Sequence, residues 1–141
     1  MDSWCSALCD SRYKCDKTYD AVTCVNQCTN NNAAILPKVR SDVVNIDVKC
    51  FATLDCATVL AGDSVSECDA KSSSSVAPSP EGQEYCATYI SKAAECGGQA
   101  SEGNCLSYVK IFADGAIREA GRCLNKSCSD ADGCLDAALG S

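Results

Sequence analysis

The chain has 141 residues, fourteen of them cysteine and none histidine, and a formal net charge of −7. Without histidine there is no Ser-His-Asp or Cys-His nucleophile pair and no imidazole metal ligand, and the acidic balance argues against nucleic acid and anionic membrane. Cysteine at about a tenth of the chain is the composition of a disulfide scaffold in an oxidising compartment: secreted, periplasmic or cell surface.

In chain order, Met1 is followed at once by polar Asp2 and Ser3, so no signal-peptide pattern opens the sequence and Met1 reads as an added start on a mature or excised segment. Residues 3–15 carry Trp4, Cys5, Leu8, Cys9, Arg12 and Cys15 at helical steps, with Ser3 or Asp2 as cap. Residues 19–29 repeat the pattern through Val22, Val25 and Cys28, capped by Thr18 or Asp20. So short a turn predicts an antiparallel hairpin, and a turn centred near residue 18 sets Cys9 opposite Cys28.

Asn30 to Asn32 break the helix, and Pro37 suits the first turn of another. Val39, Val43, Ile46, Cys50 and Leu54 form one helical face, with Asp42, Asp47 and Lys49 off it. The alternation through Val43, Val44, Ile46 and Val48 also fits a strand, but helix is favoured by that polar grouping and by the helical pattern of the second half. Gly62-Asp63 restarts the chain into a short helix with Val65 and Cys68.

Residues 71–83 read as a Ser/Pro linker in which only Val76 and Ala77 have anything to bury. Ser79-Pro80-Glu81 then opens a helix bearing Tyr85, Cys86, Tyr89, Ile90, Ala93 and Cys96, stopped by Gly97-Gly98. Ser101 opens the next, with Cys105, Leu106, Val109 and Phe112; Asp114 caps a third with Ile117, Ala120, Cys123 and Leu124. Ser129 or Asp130 starts a last short helix carrying Cys134, Leu135 and Leu139.

The cysteines repeat. Cys5, Cys15 and Cys24 share their C-x9-C-x8-C spacing with Cys86, Cys96 and Cys105, which lie 81 residues later. Each trio is followed by three more: Cys50, Cys56 and Cys68, then Cys123, Cys128 and Cys134. The expected fold is all-α, two tandem disulfide-stapled helical bundles of three to four short helices each, related by internal duplication. Residues 1–70 are the first unit, 71–83 the linker and 84–141 the second. Cys9 and Cys28 are extra to the first copy, and the same shift sets them on Ile90 and Val109. That predicts a Cys9–Cys28 bridge, an Ile90–Val109 contact in its place, and seven bridges with no free thiol. Six cysteines allow fifteen pairings within a unit. The path suggests Cys86–Cys134, with Cys96, Cys105, Cys123 and Cys128 paired among themselves.

Cys5-x3-Cys9 and Cys24-x3-Cys28 resemble the C-x3-C pairs of the copper storage proteins, and that resemblance implies a helical bundle binding Cu(I) by thiolate. The Cys5/Cys15 and Cys86/Cys96 spacing is similar to that of the twin C-x9-C helical hairpins, and Cys9-x5-Cys15-x3-Tyr19-x4-Cys24 resembles the cysteine-rich domains of neurotrophic-factor coreceptors. Asp130-Ala131-Asp132-Gly133 has the start of a calcium loop without its later ligands, so it reads as helix capping, and the Asp130/Asp132 carboxylates imply no pocket. Asn125-Lys126-Ser127 is a glycosylation sequon if the source is eukaryotic. Tyr85 and Tyr89 read as core and rim.

No catalytic residue, metal ligand or cofactor is expected. The predicted role is an exported, non-catalytic structural or binding protein whose partner is another protein or a second copy, without nucleic acid or membrane insertion; no apolar run approaches the ~18 residues of a span. The alternatives are Cu(I) storage and a secreted inhibitor or effector.

Overall fold

The structure, a computed structural model, describes residues 2–140; Met1 and Ser141 lie outside the described residues. Among these every regular element is helical: nine α-helices and one 3-10 turn, with a single isolated β-bridge. The run at 43–48 is helix, since its neighbours bury one helical stripe rather than alternate residues. None of the helices is long and apolar enough to cross a membrane.

The chain divides into two compact units. The first contains α1 (Asp2–Cys15), α2 (Ala21–Asn32), α3 (Ser41–Thr53), α4 (Cys56–Ala61) and α5 (Ser64–Ser75), five helices where three to four were expected. The additional break is local chemistry. Asp55 accepts from the Thr58 backbone N–H at 2.8 Å to start α4, and Gly62 ends it with φ of 84°, a left-handed cap that suits glycine. Helix α1 is the hub and packs on α2, α3 and α4, while α3 packs on α5. Ser3, expected as a cap, lies inside α1.

The core of this unit joins Trp4, Cys5 and Leu8 of α1 to Cys50 and Phe51 of α3 and Cys68 of α5. Trp4 meets Phe51 edge-on with ring centroids 5.2 Å apart. The buried face of α3 is Val43, Asp47, Cys50 and Phe51, so Asp47 lies within the face it was expected to avoid. Its Oδ2 accepts the Trp4 indole N–H at 3.0 Å. That partner lies 43 residues away and leaves no mark on the local pattern.

Helix α2 buries no residue, and Val22 is 72 % exposed. Its apolar face therefore gives it little hold, and two disulfides to α1 fix its place. Pro37 sits in the 3-10 turn Leu36–Lys38 rather than in a helix. Lys71–Ser75 belong to α5, not to a linker: the Ser74 and Ser75 hydroxyls donate to the Lys71 carbonyl at 3.0 and 2.6 Å, and Ser72 is small enough to be buried.

The second unit comprises α6 (Pro80–Glu95), α7 (Glu102–Val109), α8 (Asp114–Cys123) and α9 (Cys128–Leu139), together with Lys38–Arg40 from the first half of the sequence. Val39 pairs antiparallel with Phe112; the Arg40 N–H donates to the Ile111 carbonyl at 2.9 Å, and the Ala113 N–H to the Lys38 carbonyl at 2.8 Å. Arg40 Nη1 adds bonds to the Ala77 and Lys110 carbonyls at 2.7 and 2.9 Å. Ser79 caps α6 with Pro80 as its first residue, and Ser101 caps α7, as the sequence suggested. Asp114 lies in the first turn of α8 while Ala113 holds the cap position, and α9 begins at Cys128 after Ser127. Ile117, Ala120, Cys123 and Leu124 are buried.

Candidate functional site

All fourteen cysteines are bridged. Unit one holds Cys5–Cys28, Cys9–Cys24, Cys15–Cys56 and Cys50–Cys68; unit two holds Cys86–Cys105, Cys96–Cys128 and Cys123–Cys134. The expected Cys9–Cys28 and Cys86–Cys134 bridges are absent. The first error is one of hairpin centre. Both α1–α2 bridges have their midpoint between Asp16 and Lys17, because Asp16 makes the turn by accepting from the Thr18 N–H at 2.9 Å and its hydroxyl at 2.6 Å. A centre two residues earlier than the midpoint of a Cys9–Cys28 pair moves each partner by four, one helical turn. The second error follows from α9, which turns back on α8, so that Cys134 meets Cys123 and never reaches α6.

The same register governs the second hairpin. Val109 lies opposite Gly82, not Ile90: a methyl added to Gly82 would stand 3.4 Å from Val109 Cγ2.

Helix α9 packs chiefly on α8, whereas α6 packs on α7 and α8. The space left between α6, α7 and α9 is a cleft of about 730 Å³. Tyr85 and Tyr89, one turn apart on α6, form one wall as a stacked pair with centroids 5.9 Å apart and planes 19° apart. Tyr108 of α7, 47 % exposed, stands on another wall with its ring edge-on to Phe112 at 5.4 Å. Leu135 and Leu139 of α9 supply apolar surface, and Asp132 and Asp136 share that helix face. A second arm of about 320 Å³ shares Tyr89, Gln99, Asp132 and Leu135 with the first and runs to Lys92, which pairs with Glu95 at 3.4 Å. Burial first, then Tyr89 and Tyr108, pushes the Tyr85 phenol up to about 12, so it stays neutral at physiological pH.

The sequence reading named Tyr85, Tyr89 and Asp132 but did not join them, and it missed Tyr108 and Leu139 as wall residues. Asp132, Leu135, Asp136 and Leu139 fall at steps of three and four, a visible signal of one face. That the face would line a cleft depended on α9 folding onto α8. Asp130 is turned to a local task, accepting the Ser127 hydroxyl at 2.9 Å.

In unit one the Asp69 carboxyl is pushed up to about 6, first by burial and then by the Asp47 carboxylate. An acid whose folded pKa is raised gives stability that is complete below its unfolded pKa of about 4 and is lost as pH rises through about 6. Asp69 keeps much surface in water, so the effect is on the order of 1 kcal/mol after solvent screening. Asp69→Asn should therefore flatten the stability profile between pH 4 and 7, measured by urea unfolding across that window; an unchanged profile contradicts it.

Compared with protein-family models, curated proteins and solved structures, the chain matches none.

Proposed function

We propose that the chain is an exported, non-catalytic binding protein of the cell surface or extracellular space, and that the α6–α7–α9 cleft receives its partner, another protein or a second copy. The cleft carries this reading: it is concave, walled by three tyrosines and two leucines, with a few polar groups at its rim. The seven bridges support an oxidising compartment. They also weigh against Cu(I) storage, since a sulfur in a disulfide has no thiolate to offer a metal.

We read the two units as copies of one ancestor. Cys15–Cys56 and Cys96–Cys128 join the second and fifth frame cysteines of each unit, and Cys50–Cys68 and Cys123–Cys134 join the fourth and sixth. Aligning Cys9–Cys24 with Cys86–Cys105 places Cys5 and Cys28 on Gly82 and Val109, which approach each other closely. This alignment shifts Cys9 by 77 residues but Cys15 and Cys24 by 81, so it departs from the shared C-x9-C spacing by one helical turn, and the exchange of a Cys9–Cys28 bridge for an Ile90–Val109 contact does not stand.

The test uses the oxidised protein as bait for extracellular proteins of its source, with sedimentation to detect self-association. Tyr89→Ala should abolish the interaction found, while Leu60→Ser, on exposed α4, should keep it. An interaction that survives Tyr89→Ala but not Leu60→Ser overturns the assignment.

A further inference from the structure

Three features of the molecule stand outside the roles described so far: the buried Asp47 with Asp69 nearby, the exposed apolar tip of α4, and the chemistry of the unit-two cleft. Asp47 Oδ1 has no hydrogen-bond partner, but Asp47 is 4 % exposed and Trp4 holds its other oxygen, so it faces no opening to a ligand. The α4 tip borders a hollow of only about 250 Å³. The cleft goes further.

We infer that the cleft takes from its partner a cationic group on an apolar body, an amine or quaternary ammonium held by the ring surfaces of Tyr89 and Tyr108 and by the carboxylate of Asp132. This deepens the binding reading above and rests on it. The face of an aromatic ring is negative and attracts a cation, most strongly where water is partly excluded. Tyr85 is 7 % exposed and stacked on the half-buried Tyr89, so it buttresses the Tyr89 ring rather than offering a second open face. Across from it Asp132 of α9 lines the 730 Å³ cleft, and no lysine or arginine lines it. Lys92 stands at the end of the second arm and is already paired with Glu95. A cation thus meets complementary charge, whereas an anion meets a carboxylate and ring faces together. The chain's overall charge of −7 adds to the same bias. The volume accommodates such a group, with Val109, Leu135 and Leu139 to cover its apolar part.

The experiment is an NMR titration of the intact, oxidised, ¹⁵N-labelled protein with three probes. They are benzyltrimethylammonium, its neutral isostere neopentylbenzene, and the anion 3-phenylpropionate. The inference expects saturable shifts at the amides of Tyr89, Asn104 and Asp132 with the cation. Binding of the neutral isostere should be about tenfold weaker, and the anion should not saturate. Asp132→Asn should weaken the cation several-fold and leave the neutral probe unchanged. The inference falls if the neutral probe binds as tightly as the cation, if the anion binds best, if no probe saturates in the cleft, or if Asp132→Asn leaves the cation's affinity intact. Should it fall while Tyr89→Ala still abolishes partner binding, the cation assignment fails alone and the cleft remains the binding site.

Discussion

Replacing Cys15 and Cys56 together by alanine should lower the stability of the first unit by about 4 kcal/mol, the largest loss expected from any single bridge. Their bridge closes 41 residues, the longest loop in the molecule, and the other bridges hardly shorten that path. Cys56 is exposed, so the replacement opens no cavity at that end. Cys5→Ala with Cys28→Val should cost only about 2 kcal/mol, because Cys9–Cys24 lies nested inside and already holds the hairpin. The second unit manages without an equivalent bridge, with Val109 against Gly82. Urea midpoints of the two double variants measure the difference. Equal losses would show that the nested bridges do not share one constraint.

Phe51→Ala should cost about 3–5 kcal/mol in the same unit. Phe51 is 1 % exposed and fills the space between Trp4, Leu8 and the Cys50–Cys68 bridge. The edge-on contact with Trp4 is lost as well, which adds about 0.5–1.5 kcal/mol to the transfer cost. Val22→Ala on α2 serves as the control and should change stability by less than about 0.5 kcal/mol, since that side chain is already in water. Thermal unfolding followed by circular dichroism reads both. A loss below about 1 kcal/mol for Phe51→Ala would mean that the bridges, not the core, hold the first unit.

What the sequence disclosed tracks the range of the physics involved. Ser79, Ser101 and Gly97 act within a few residues of themselves, and the helix ends they set were legible. The helical periodicity of Ile117, Ala120, Cys123 and Leu124 pointed to the stripe that is buried. Asp47 was misplaced because its partner, Trp4, is on another helix. Val39 was assigned to a helix because its partner, Phe112, lies in the second half of the chain. The cysteine pairing failed more instructively. The count and the hairpin were readable, but pairing depends on where the turn centres, and one Asp16–Thr18 hydrogen-bonded turn moved that centre enough to exchange partners. The cleft was hardest to foresee. Its walls are ordinary helix faces, and only the packing of α9 on α8 leaves them apart.

The hairpin register orders the bridges, the correspondence of Cys5–Cys28 with Gly82 and Val109, and the shape of both units. It is tested most directly by stepwise partial reduction of the native protein with differential alkylation and mass spectrometry of the α1–α2 segment. The expected result is Cys5 joined to Cys28 and Cys9 joined to Cys24, with no thiol alkylated before reduction. Cys9 joined to Cys28, or any thiol free in the native protein, would contradict it.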